Sequence, residues 1–209
     1  MNYWKYHHPR HNVFTWLMAL LAITGAVLLY FIHKDTLFWQ LNQRHFYPGD
    51  PFFAYFTHVG DGLVMLALGV VLLGLGKRKL GVMLLLSFLL SGLTVQISKK
   101  YMPEPRPGRY FPEINAIHKV YDLPLTGNNS FPSGHTTTAF AMFSMLALTN
   151  QYRRWQLCFF VLALLVGYSR IYLGHHFFKD VYAGAFVGFL SSLFILWSFR
   201  NQMLFNDRD

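Results

Sequence analysis

The sequence predicts an all-α fold, a polytopic membrane protein with six transmembrane helices in one bundle, and three observations carry that prediction. Of the 209 residues, 54% are hydrophobic and only 13% are charged, about half the charged share of an average soluble domain. Six stretches are long and nearly free of charge: residues 13–32, 63–76, 80–98, 136–152, 155–169 and 181–199. No internal repeat, low-complexity tract or soluble segment long enough for a second domain interrupts them, so residues 1–209 are expected to form one domain.

Crossing the hydrocarbon core takes about 20 apolar residues, with a range of about 17 to 25. The first, third and sixth stretches meet that length alone. The second needs the preceding residues 52–60, the fourth sits at the short limit, and the fifth is short unless its helix continues past Arg170. The first span follows a basic stretch from Lys5 to Arg10, as a signal peptide would. It is followed by His33-Lys34-Asp35 and not by a small-residue cleavage pattern, so a retained helix is expected. Residues 35–51 mix Phe38, Trp39, Phe46 and Tyr47 with polar residues, which predicts a short interfacial helix and loop. Trp4, Trp155 and Trp197 fall near span ends, where an aromatic belt would place them. Pro103, Pro105 and Pro107 stop the third helix and begin a long loop to Phe131. That loop carries Arg109, Tyr110, Phe111, Lys119 and Tyr121, the composition of a lid or a headgroup-contacting surface. The single cysteine, Cys158, lies inside the fifth span, so no intrachain disulfide can form.

The net charge of +9 does not point to nucleic acid, because the basic residues are scattered over helix ends and loops instead of covering one soluble face. The bilayer and its anionic headgroups are the expected partners. The 18 basic residues divide evenly between the two sides. Six spans place both termini on one side, together with the compact basic loops Lys77-Arg78-Lys79 and Arg153-Arg154. The positive-inside rule makes that side cytoplasmic. The expectation is therefore a multi-pass protein of the cell (inner or plasma) membrane, with both termini cytoplasmic.

Three short clusters lie at the opposite, outward ends of the spans. Lys99 is followed after six residues by Arg106-Pro107; then come Pro132-Ser133-Gly134-His135; then Ser169-Arg170, five residues, His176, three residues and Asp180. Three cations can hold a phosphate: arginine supplies a planar fork that matches pairs of oxygens, and lysine a compact charge. Ser133 and Gly134 open the fourth helix, where unpartnered amides and the helix dipole favour an anion. His176 and Asp180 are four residues apart, so on a helix they would share a face and the aspartate would fix the imidazole tautomer. The other ring nitrogen would then be free to attack phosphorus, with His135 available to protonate the leaving group. Residue type and spacing alone do not decide which histidine attacks. Taken singly, Ser133 reads as a helix N-cap and Lys99 and Arg170 as snorkelling cations. Taken together at one face, these groups point to function, because ionisable groups at membrane depth are costly.

These clusters resemble the three signature motifs of the type 2 phosphatidic acid phosphatase (PAP2) superfamily, matched in order at every signature position between Lys99 and Asp180. The resemblance implies an integral membrane lipid phosphatase of the bacterial branch, acting without a cofactor or metal through a phosphohistidine. It implies that His176 is the nucleophile, Asp180 its orienting partner and His135 the acid. Lys99, Arg106, Ser133, Gly134 and Arg170 would form the phosphate cradle. Family members act on polyprenyl diphosphates, phosphatidylglycerophosphate, phosphatidic acid or lipid A phosphates. Compact size, six spans and no added domain look like the bacterial members, and among the family's substrates the expected reaction is conversion of undecaprenyl diphosphate to undecaprenyl phosphate. The resemblance also reaches vanadium-dependent haloperoxidases, whose anion pocket is similar, but the dense transmembrane pattern here looks like the lipid phosphatases.

Two other classes compete. His135, His176 and Asp180 could form a two-histidine, one-carboxylate metal site, although three nearby cations would repel the metal. A transporter would also use six spans, but with polar groups at mid-membrane instead of at one face. His175 has no motif role. His7, His8, His11, His33, His45, His58 and His118 read as interfacial or loop residues, and Asp61 as a possible partner for a cradle cation. No pattern in the chain speaks to oligomeric state.

Overall fold

The computed structural model describes residues 12–113, 116–118, 120 and 126–200. Trp4, the basic stretch from Lys5 to Arg10, His7, His8, His11, Lys119, Tyr121 and both termini lie outside the described residues. The described residues are helical, with no named strand: α1 (Val13–Phe31), α2 (Lys34–Asn42), α3 (Gly49–Phe56), a 3-10 turn (Thr57–Gly60), α4 (Gly62–Gly74), α5 (Arg78–Tyr101), α6 (Pro107–Tyr110), α7 (Gly134–Leu148), α8 (Arg153–Tyr172) and α9 (Phe178–Ser198).

Four of these helices, α1, α5, α8 and α9, are long and apolar enough to cross a bilayer. A fifth span is possible from α3, the 3-10 turn and α4, which together pass the same test but are bent by 54°. The six expected spans therefore appear as four or five by length and composition. The second stretch does draw on residues before 63, and the fifth does run past Arg170. The bend has a local cause: Asp61 leaves the helix with ψ 140° and its carboxylate accepts the Leu63 amide at 3.0 Å, starting α4 afresh.

Helix α7 corresponds to the fourth expected span and is too short to pass that test, with 15 residues ending at Leu148 instead of 152. A polar knot stops it. The Asn12 side chain donates to the Ala147 carbonyl at 2.8 Å, and Gln156 donates to the Asn150 carbonyl at 2.7 Å while accepting from the Val13 amide at 2.9 Å. The same residues thus satisfy the end of α7 and the start of α1.

Helix α7 is the axis of the bundle, buried at most of its positions. It packs closely on α9 because Gly188 presents no side chain. A Cβ there would collide with the Thr137 carbonyl oxygen and come within 2.7 Å of the Ala141 amide nitrogen. Ser192 donates to the Ala141 carbonyl and pairs with Ser87 on α5, each at 2.7 Å. Small residues and interhelical hydrogen bonds are the usual means of helix association in lipid. Phe14 anchors α1 by an edge-to-face contact with Phe160 at 5.3 Å and a stack on Phe189 at 6.2 Å. The rest of α1 exposes Trp16, Ile23 and Tyr30, as suits a lipid-facing helix.

Candidate active site

Because α5 and α8 end where α7 and α9 begin, one end of the bundle collects four helix termini. Lys99 comes from the last turn of α5, Arg106 from the N-cap of α6, Ser133 to His135 from the start of α7, and Arg170 from the last turn of α8. His176 lies in the link between α8 and α9, and Asp180 in the first turn of α9. The expected site residues are brought together. His176 lies within electrostatic reach of Arg170, Arg106, Lys99 and His135. Lys99 in turn feels Arg106, Arg170 and Asp180. A Cβ on Gly134 would sit 3.9 Å from the Lys99 ammonium, so the start of α7 and that cation border the same space.

The details differ from a helical pairing in three respects. His176 and Asp180 are not on one helix, since His176 precedes α9. Their Nδ1 and Oδ2 atoms are 3.5 Å apart, close but longer than a good hydrogen bond. Asp180 is instead fixed by its own helix start, with Oδ2 accepting the Phe177 amide at 3.0 Å and the Ser130 hydroxyl at 2.6 Å. Ser133 occupies the N-cap of α7, but its hydroxyl makes no capping bond and accepts from Thr136 at 2.9 Å. Its amide donates to the Asp180 carbonyl at 3.0 Å, which ties the start of α7 to α9.

Arg170 is buried, and its Nη1 donates to Thr57 in the 3-10 turn at 2.7 Å. That turn approaches α7 so closely that a Cβ on Gly60 would lie 2.7 Å from the His135 carbonyl oxygen. The Nε groups of Arg106 and Arg170 are buried and make no hydrogen bond among the described residues. Buried guanidinium donors beside Lys99 suit an oxyanion with several oxygens. Burial, together with the facing charges of Arg170, Arg106 and Lys99, holds the His176 imidazole well below the usual histidine range, so it is neutral around pH 7. Burial also lowers Arg106 and His175.

Ser130 and Thr57 are the residues that sequence reasoning missed, since nothing in an isolated serine or threonine marks its partner. His175 is buried next to the site, and its Nδ1 makes no hydrogen bond among the described residues. Asp61 forms no ion pair with a cradle cation among the described residues; its carboxylate caps α4 and its charge reaches His135. His118 is not merely a loop residue, because it bonds Asp50 at 2.8 Å and stacks on His45 at 3.9 Å. Among the described residues no three His, Cys, Asp or Glu side chains are grouped so as to hold a metal ion, and the expected alternative of His135, His176 and Asp180 is not such a group.

Fold and site together define a multi-pass membrane protein with a cationic, histidine-bearing cluster at one end of its helical bundle. The chain belongs to the PAP2 superfamily, whose model matches residues 80–204. It is 32% identical to the bacitracin transport permease protein BcrC of Bacillus licheniformis over 68% of this chain and 71% of that protein. It is 28% identical to an undecaprenyl-diphosphatase of Sulfolobus acidocaldarius, over 83% of this chain and 85% of the relative. Among solved structures, Aquifex aeolicus LpxE superposes with a TM-score of 0.69 at 31% identity, covering 77% of this chain and 92% of that one.

Proposed function

We propose that this protein is a metal-independent lipid phosphatase that hydrolyses a lipid phosphomonoester or diphosphate at the outer membrane face, with undecaprenyl diphosphate as the favoured substrate. The single observation that carries the reading is the convergence of Lys99, Arg106 and Arg170 on His176, with His135 beside it. Family membership supports the phosphatase class, and the undecaprenyl-diphosphatase that aligns over most of the chain supports a diphosphate.

In the proposed reaction the three cations and the first amides of α7 hold the phosphoryl oxygens and neutralise their charge. The Nε2 lone pair of His176 attacks phosphorus, the bond to the leaving oxygen breaks, and His135 gives that oxygen its proton. Water then attacks the phosphohistidine, passing a proton back to His135 as the P–N bond breaks. Phosphate leaves with both histidines restored.

The test is phosphate release by the purified protein from a panel of undecaprenyl diphosphate, phosphatidylglycerophosphate, phosphatidic acid and lipid A. Turnover that survives chelation is expected, with His176→Ala abolishing it. His135→Ala is expected to slow most those substrates with poor leaving groups. Retained turnover in His176→Ala overturns the nucleophile assignment, and loss of activity to chelator with recovery on adding a divalent metal overturns metal independence. One relative is named for transport. Movement of the lipid across liposomes without phosphate release would support that class instead.

A further inference from the structure

Asp180 is too far from His176 to position it well alone, and a third side chain lies between them. Ser130 is fully buried. Its hydroxyl donates to Asp180 Oδ2 at 2.6 Å, within the short range of an O–H to carboxylate bond. The same oxygen lies 3.4 Å from His176 Nδ1, slightly nearer than the carboxylate oxygen at 3.5 Å. A serine hydroxyl has one hydrogen and two lone pairs. With the hydrogen committed to Asp180, what faces the imidazole is a lone pair, and only an Nδ1–H can be matched to it. That assigns the His176 tautomer from its neighbours and leaves the lone pair of Nε2 for the reaction.

We propose that Ser130 is a positioning residue, which relays the Asp180 carboxylate to His176 and holds its ring in the nucleophilic tautomer. The proposal rests on the phosphohistidine reading above and extends it to a residue outside the three motifs. The local backbone supports it. The Ser130 amide donates to the Glu104 carbonyl at 3.0 Å, and the Arg106 amide donates to the Gly127 carbonyl at 2.9 Å. Glu104 and Asn129 form the bridge between these two short segments, and an ion pair from Lys179 to Glu104 fastens them to the start of α9. The pairing that delivers a cation to the pocket therefore also delivers the serine.

The experiment uses the purified full-length chain and a short-chain isoprenoid diphosphate as probe, with kcat and KM measured for Ser130→Ala, Asp180→Asn and the double variant. Removing a hydrogen bond to a charged group should lower kcat about tenfold or more, with KM changed by no more than about twofold. The double variant should be no slower than Asp180→Asn, because the two residues act through one connection. A wild-type kcat in Ser130→Ala, or losses that multiply in the double variant, overturns the proposal. If Ser130→Ala does not fold, Ser130→Cys replaces the hydroxyl with a weak donor and is read by the same kcat and the same cycle. Wild-type enzyme turned over on substrate labelled at its terminal phosphate, then denatured at alkaline pH where the P–N bond of a phosphohistidine survives, separates the two layers of the argument. Label absent from His176, or turnover in His176→Ala, removes the phosphohistidine reading itself. Label on His176 with an unaffected Ser130→Ala removes only the serine.

Discussion

In the proposed reaction the neutral imidazole is the form of His176 that attacks phosphorus, and its surroundings keep it neutral. Burial is the largest cause, followed by the charges of Arg170, Arg106 and Lys99, and all of them favour loss of the ring proton. A nucleophile with a lowered pKa stays active on acidification until the pH falls through that lowered value. The acid limb of kcat/KM, which reports the free enzyme, is therefore expected below the usual histidine value of 6.5. Lys99→Met removes one of the facing charges, so on the same substrate its acid limb should move to higher pH. A limb unmoved or moved to lower pH would show that Lys99 does not act on the group that titrates. At this scale the sequence was informative wherever chemistry restricts residue type. Three cations, two histidines and an aspartate at fixed spacings have few other joint uses. Ser130 and Thr57 were not legible, because a hydroxyl can cap, turn or bond anywhere, and its partners here lie 50 and 113 positions away in the chain. The pairing of His176 with Asp180 was expected for a helical reason and is met by a different one. The aspartate is held by the N-terminus of α9, and the histidine reaches it from the preceding link.

Elements were legible to the extent that apolar length marks them. The stretches behind α1, α5 and α9 have the span of a bilayer and no internal polar stop, and the stretch behind α8 reaches it by running past Arg170, so these helices lie close to the expected bounds. Helix α7 ends early because Asn12, 135 positions away, binds its last turn and Gln156 binds Asn150 just beyond it, and hydropathy carries no signal for that. The close approach of α7 and α9 likewise depends on a particular glycine, which gives a paired prediction. Gly188→Ala forces a methyl group against the Thr137 carbonyl and the Ala141 amide, backbone atoms that cannot rotate away. Overpacking of this kind costs about 1–3 kcal/mol, so the thermal unfolding midpoint in detergent should fall. Turnover should fall with it, since α7 carries His135 and α9 carries Asp180. Gly92→Ala on α5 is the control, with nothing within 4 Å of the added methyl. It should leave the midpoint unchanged or raise it slightly, as alanine is the better helix former. Equal midpoints for the two variants would show that the contact between α7 and α9 is not set by Gly188.

Across the whole molecule the compact basic links and the site lie at opposite ends of the bundle. The site lies where α5 and α8 end, so Lys77, Arg78 and Lys79, which precede or open α5, and Arg153 and Arg154, which open α8, lie at the other end. Arg200, just beyond α9, belongs to that far end too. On the positive-inside rule we propose that the end with the compact basic links is cytoplasmic, which would direct the site and α6 outward. Two exposed positions report this directly, Lys79 at the far end and Arg109 on α6 at the site end. In a Cys158→Ser background, Arg109→Cys should react with a membrane-impermeant maleimide added to intact cells or spheroplasts. Lys79→Cys should react only after the membrane is opened or in inverted vesicles. The reverse pattern would put the site in the cytoplasm, where a lipid phosphate of the inner leaflet would be its substrate, and would overturn the outer-face part of the proposed function. Labelling of both positions from one side would require an odd number of crossings between residues 79 and 109 to be abandoned, and with it the assignment of α5 as a span.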